Sequence, residues 1–351
     1  MTSINAIRFD FHSGAMVCDE QRHWNNERMK IYAADKIRSI IPERIRERYG
    51  IAASYGNTGT SSIGDELRMT IYREIDKEYD RRCIEAGTEP ERFMTIEEIA
   101  RFAWSIICRV KHTHVDEGLL KKFGFSAREF IASHYQRQGR SYPISNDAVS
   151  REALDMIASH PSKPAQDAVF GNAGIVAGFD PETGFRIYSF SMSLGIFEPV
   201  ESGYVALGSG GDTTNFVLPR LFNRTGVEGR MSGIDRVEGI HAVIDAVNMA
   251  TEHNLGVGGY FNILLFDRAG RQPNGFYREI NDHRSKLASE TVRAHRAGFI
   301  SKPVCLEILE GLLFRERDAV WAEERLFASS SHALGMHRLF RGYPVTADDF
   351  V

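Results

Sequence analysis

The chain has 351 residues, of which 42% are apolar and 26% charged, with a formal net charge of -4. That length accommodates one large domain with insertions or two domains, and the composition is that of a globular protein. The totals argue against a dedicated nucleic-acid binder, which shows a basic excess, and against a membrane protein, because no run of about 18 apolar residues occurs.

The chain opens Met1-Thr2-Ser3-Ile4-Asn5-Ala6-Ile7-Arg8 without a basic segment followed by an apolar one, so no secretory signal is expected. The runs Ile4 to Phe11 and Ala15 to Cys18 read as a strand hairpin turned at His12-Ser13-Gly14. Residues 20–35 are polar and read as a loop. Lys36-Ile37-Arg38-Ser39-Ile40-Ile41 reads as a short strand, and Ile51-Ala52-Ala53-Ser54-Tyr55-Gly56 as a buried strand of small residues. A helix is expected after Thr60-Ser61, with Ile63, Leu67, Ile71 and Ile75 at helical spacing.

Residues 64–165 read as a mostly helical block. Thr95-Ile96-Glu97-Glu98 and Ser126-Ala127-Arg128-Glu129 are capping boxes, the second opening a helix to about Tyr135, and a further helix is expected over 147–158. From residue 167 the texture changes to strand: Ala168-Val169-Phe170, Gly174 to Asp180, a turn at Pro181-Glu182-Thr183-Gly184, and Phe185 to Phe190 returning. Tyr204 to Leu207 is a strand ending in Gly208-Ser209-Gly210-Gly211. Helices over about 212–222 and 235–253 follow, then a strand from Tyr260 to Phe266 and a helical tail over 270–351. Strands come in consecutive hairpins rather than singly between helices. The fold class is therefore α+β, with antiparallel sheets packed by helices.

Few stretches carry a chemical signature by themselves. Thr2, once Met1 is removed, holds a hydroxyl nucleophile and a free α-amine on one residue, and the amine can take the hydroxyl proton. Cys18, Cys83, Cys108 and Cys305 are scattered with no C-x-x-C, which fits free thiols in a reducing cytoplasm rather than a disulfide framework or a zinc site. His112-Thr113-His114-Val115-Asp116-Glu117 holds ligand-type side chains, but a spacing of two turns the histidines to different helix faces, and a polar helix end is the expectation. Gly208-Ser209-Gly210-Gly211 lacks the spaced glycines and Gly-Lys-Ser/Thr ending of a phosphate loop. Arg137 and Arg140 read as a solvated turn. Arg315, Arg317 and Arg325, interleaved with acids, read as an exposed helix face. Neither a metal nor a cofactor is expected.

Taken together, Thr2 to Arg8, Gly14 to Asp19, Lys36-Ile37, Ala52 to Gly56, the hairpin Gly174–Phe190, Gly208 to Gly211 and Gly258-Gly259-Tyr260-Phe261 resemble, in order, the proteasome β-type subunits and the peptidase subunit of their bacterial ATP-dependent relative. The resemblance covers roughly 2–60 and 168–267. It implies a four-layer αββα Ntn-hydrolase sandwich in a single domain, with a core of 2–63 and 167–268, a helical insertion over 64–166 and a C-terminal helical extension over 269–351. It implies Thr2 as nucleophile, Lys36 beside it and held by Asp19, the Gly56 N–H as oxyanion donor, Ser209 near the Thr2 amine, and Asn254 where relatives carry an aspartate. Val257 stands where relatives carry a serine. Small Ser54 suggests an open pocket for the residue before the scissile bond.

The function this implies is a cytoplasmic threonine peptidase acting on peptides or proteins. It would be a homo-oligomer forming a ring or helical stack, served by a separate unfoldase or adaptor. Two alternatives stand beside it: an inactive scaffold subunit of the same fold, and a transpeptidase or amidohydrolase that shares the first half-reaction.

Overall fold

The computed structural model describes residues 2–24, 29–31, 35–158, 171–225, 233–254, 257–259, 261–268, 276–332 and 334–336. Met1, the expected strand Ala168-Val169-Phe170, and Tyr260 lie outside them.

The first hairpin forms as β1 (Ile4–Arg8) and β2 (Ser13–Asp19), with Ile4 opposite Cys18 and Arg8 opposite Gly14. Within 20–35, expected as loop, the chain makes a short second hairpin, β3 (Arg22–Trp24) and β4 (Met29–Ile31). Then come β5 (Ile37–Ser39), α1 (Glu43–Tyr49) and β6 (Ala52–Thr58). Helix α1 gave no periodic signal because Ile45 is its one buried residue; it is bracketed by Pro42 and by Gly50 at φ 63°.

The helical block contains α2 (Ser61–Ala86), α3 (Ile96–Phe123), α4 (Ala127–Ile131) and α5 (Asp147–Ala158). Both capping boxes form, at Thr95 with Glu98 and at Ser126 with Glu129. The second opens a helix of one turn, not one reaching Tyr135. The chain instead turns into the exposed hairpin β7 (His134–Arg137) and β8 (Arg140–Pro143), joined through Gln138 and Gly139 at φ 51° and 76°.

After this block come β9 (Ala173–Asp180), β10 (Gly184–Ser191), β11 (Ile196–Pro199) and β12 (Tyr204–Leu207). Helices α6 (Gly211–Thr225) and α7 (Arg236–His253) precede β13 (Phe261–Asp267) and β14 (Tyr277–Ile280). The tail is α8 (Asp282–Arg296), α9 (Lys302–Leu313) and α10 (Ala319–Ala328). Asp235 and Asn281 cap α7 and α8 by accepting backbone N–H bonds.

Two five-stranded sheets result, ordered β12-β1-β2-β13-β14 and β11-β10-β9-β6-β5, and every pairing within them is antiparallel. Side chains alternate between faces with a period of two, so each sheet has two apolar faces to bury. Ile4, Ala6, Met16 and Cys18 of the first sheet share one core with Ala52, Ile175, Ala177 and Ile187 of the second. Ile7, Ala15, Val17 and Ile263 point the other way, into a core with α7, α8 and α9. Ala53, Tyr55, Val176 and Tyr188 likewise meet Leu67, Ile71, Ala103 and Ile107 of α2 and α3. The ends of β2 and β5, together with the chain start, thus come to one edge of the shared core.

Candidate active site

Asp19 is the last residue of β2 and is fully buried. Its Oδ1 accepts from the Ser3 N–H at 2.8 Å and from Lys36 Nζ at 2.8 Å, and its Oδ2 accepts from the Gly258 N–H at 3.1 Å. Around it the Asp19 N–H donates to the Ser3 carbonyl at 3.2 Å and the Gln21 N–H to the Gly258 carbonyl at 2.8 Å. The carboxylate therefore ties together the chain start, the approach to β5 and the approach to β13. Lys36, whose side chain is 4% exposed, gives the buried negative charge its counter-charge. Such a pair is tolerated inside a protein only when hydrogen bonds complete it, as the two backbone donors do here.

The other wall is the Gly208-Ser209-Gly210 turn after β12. The Thr2 N–H donates to Ser209 Oγ at 3.2 Å, and the Gly210 N–H donates to the Thr2 carbonyl at 3.2 Å. Gly208 has φ 90°, and a Cβ there would stand 2.1 Å from the Thr2 carbonyl oxygen, so this close approach requires glycine. Asn254, at the C-terminal cap of α7, donates from Nδ2 to the Ser209 carbonyl at 2.9 Å. Of the expected residues, Thr2 and Ser209 thus meet directly, Asp19 and Lys36 meet directly, and Asn254 reaches the Ser209 main chain.

Gly56 lies in mid-sheet, paired with Ile37 of β5 and Ile175 of β9. A Cβ there would meet Ile37 Cγ2 at 2.6 Å and Ile4 Cγ2 at 3.2 Å, which explains the glycine by packing between the sheets. Ser54 departs from expectation. It is fully buried and donates from Oγ to the Tyr277 hydroxyl at 3.4 Å, so it fills space between the sheets instead of opening a pocket. Val257 is buried too, and its N–H donates to the Asn254 carbonyl at 3.0 Å.

One titratable group beside the site escaped the sequence reading. Glu20 is 3% exposed, and its carboxyl is pushed up to about 7 by burial and by Asp282, against the pull of Lys36. Burial also raises the Cys18 thiol, which keeps it protonated. A cleft of about 570 Å³ opens beside Gly258, lined among others by Asn248, Thr251, Lys286 and Glu290.

The remaining expected clusters are accounted for elsewhere. His112 to Glu117 lie inside α3, not at a helix end. There His114 Nε2 pairs with Glu66 at 2.7 Å and Asp116 accepts the Ala127 N–H at 2.8 Å. Arg315 and Arg325 pair with Glu310 and Glu307, both at 2.8 Å.

No protein-family model and no curated protein sequence matches the chain. Among solved structures it is similar to the Anbu (Gly-1) mutant from Hyphomicrobium sp. strain MC1. The two are 10% identical, the match covers 85% of this chain and 94% of that one, and the TM-score is 0.53. At that identity the likeness concerns the fold alone. The α+β class with antiparallel sheets stands, and the fold is like that of the Anbu protein. Among the described residues no helix is long and apolar enough to cross a membrane.

Proposed function

We propose that the chain is a proteasome-like N-terminal threonine hydrolase, most simply a peptidase, with Thr2 as its nucleophile after Met1 is removed. The observation that carries this reading is the pairing of the Thr2 nitrogen with Ser209 Oγ at 3.2 Å, beside a buried Asp19–Lys36 pair. With Met1 gone, that nitrogen is an α-amine with an ordinary pKa of about 7.7–8.0, suited to proton transfer near neutral pH. The amine takes the Thr2 hydroxyl proton as Oγ attacks a peptide carbonyl, then passes it to the departing amine of the product. Water resolves the resulting ester, the amine again moving the proton. Ser209 orients the amine, and Lys36, fixed by Asp19, lowers the cost of the developing alkoxide. In this reading no oxyanion role falls to Gly56, whose N–H lies within the sheet ladder opposite Ile175 of β9.

The finer architecture belongs to the same proposal. We read the layers as helix, sheet, sheet, helix, supported by one apolar cluster between the sheets and one on each outer face. The chain is one domain, with 64–166 inserted into the core and α8 to α10 appended after β14, and it works as a cytoplasmic homo-oligomer on peptide or protein substrates. Strand β14 belongs to the first sheet and not to the helical extension expected over 269–351.

Intact mass and N-terminal sequencing of active protein test the nucleophile. Loss of Met1, and labelling of Thr2 by an electrophilic threonine-protease inhibitor, are expected. Turnover by protein that retains Met1, or by Thr2→Ala, overturns the mechanism. Unchanged assembly with no labelling of processed Thr2 leaves the inert scaffold as the correct reading.

A further inference from the structure

Three ligand-type side chains converge far from Thr2, where α7, α8 and α9 meet. His241 lies in the second turn of α7, His295 in the last turn of α8 and Cys305 in the first turn of α9. One nitrogen of each imidazole and the Cys305 sulfur lie within 4.8 Å of one another. His241 Nε2 stands 3.4 Å from His295 Nδ1, with the rings at 69°.

We propose that His241, His295 and Cys305 form a binding site for a zinc-class divalent cation, with three protein ligands and a fourth position open to water. The geometry carries this. Tetrahedral bonds of about 2.0–2.1 Å to nitrogen place two ligand nitrogens about 3.4 Å apart. The two imidazoles already have that spacing. With a sulfur at about 2.3 Å, each nitrogen–sulfur edge is about 3.6 Å. The present limit of 4.8 Å therefore asks for a movement of roughly one bond length at most.

The donor set suits the ion. Two imidazoles and a thiolate are borderline-to-soft ligands that favour zinc over magnesium or calcium. Burial and its neighbour hold His241 down to about 4, and burial lowers His295 as well, so both rings carry a lone pair at neutral pH. Burial pushes the Cys305 thiol up to about 12, so it is inert until a cation takes the place of its proton. Asp245 is one helical turn beyond His241, and its carboxylate acts electrostatically on both His295 and Cys305. The nearby cations are engaged: Lys302 pairs with Glu238 at 2.7 Å and Arg296 with Asp245 at 3.3 Å.

A bound ion would clip three helices that already meet through apolar contacts and through the Lys302–Glu238 and Arg296–Asp245 pairs. It would thereby brace α7, whose C-terminal cap holds the Ser209 turn. The site rests on no assumption about Thr2.

The test uses the full-length chain, stripped with a chelator and titrated with Co²⁺. The expected result is one equivalent bound, a thiolate-to-cobalt charge-transfer band, and displacement of cobalt by zinc. Saturating zinc should raise the melting temperature by about 5 °C. Cys305→Ser should remove the band, and His241→Ala or His295→Ala should weaken binding more than about 100-fold. Absence of the band in folded wild-type protein overturns the site. So does a band that survives Cys305→Ser, because Cys18, Cys83 or Cys108 would then be its source. Absence of the band from the wild-type titration overturns the site even where a variant fails to fold.

Discussion

Each sheet ends a central strand on a buried aspartate, and the two are used differently. Asp180 closes β9. Its Oδ1 accepts from the Glu182 and Thr183 N–H groups at 2.8 and 2.7 Å, and its Oδ2 accepts from the Thr183 hydroxyl and from the Ile96 N–H at 2.9 Å. Three of those four donors lie in the turn that follows, and the fourth is the start of α3, where a negative charge is favoured. Asp19 closes β2 with two long-range backbone donors and one cation. Neutral donors are sufficient to hold a carboxylate that only shapes a turn. A lysine drawn into the interior is a cost that shape alone does not require. In the proposed reading, the Asp19 end is the place where charge is put to use.

The largest expected effect breaks that contrast directly. Lys36→Met leaves Asp19 buried without its counter-charge and should destabilise the protein by about 4 kcal/mol. It should also abolish turnover. Urea unfolding followed by a peptide assay on the folded fraction checks both. Unchanged stability would show that the two backbone donors alone satisfy Asp19, as neutral donors do at Asp180.

Asp180→Ala comes next. It strands donors from Ile96, Glu182 and Thr183 and should cost about 3 kcal/mol. Turnover per folded molecule should not change, because Asp180 touches only a turn and α3. A loss of turnover beyond the unfolded fraction would erase the distinction between the two aspartates.

Glu20 sharpens the comparison through pH. Its folded pKa of about 7 stands above the ordinary 4.5, so the native state holds the proton longer. Its stabilising effect is complete below 4.5 and declines as pH rises to about 7. Glu20→Gln should remove that slope, on the order of 2 kcal/mol across the window. Unfolding free energies at pH 5 and pH 8 for both proteins check this, and parallel curves would place the buried titration elsewhere.

How much of this was legible in the sequence depends on what carries the signal. Strands β1, β2, β6, β9, β10 and β13 stand out because their apolar residues alternate or run continuously. The capping boxes at Thr95 and Ser126 stand out because they pair side chains with nearby backbone. The β7–β8 hairpin and the edge strand β11 are almost wholly exposed and so have no apolar pattern to read. In the site, Asp19 and Lys36 are side chains and were readable in order. Their partners Ser3 and Gly258 act through main-chain N–H groups, which every non-proline residue possesses. Glu20 owes its shift to burial and to Asp282, and His241, His295 and Cys305 meet across three helices. Neither relation leaves a local spacing.

Asn254 is the smallest of the expected effects and the most direct probe of the site's departure from the pattern it resembles. An aspartate there would be ionised and acceptor-only. In this chain position 254 faces the Ser209 carbonyl, which needs a donor, and Asn254 supplies it from Nδ2 at 2.9 Å. Asn254→Asp would set an acceptor against an acceptor and free the turn that holds the Thr2 nitrogen. The expected cost is about 1 kcal/mol in stability and a several-fold loss of turnover, even though the substitution adds the charge that the resemblance implies at this position. A gain in turnover would mean that the charge matters more than the donor, and that Ser209 is held in place without Asn254.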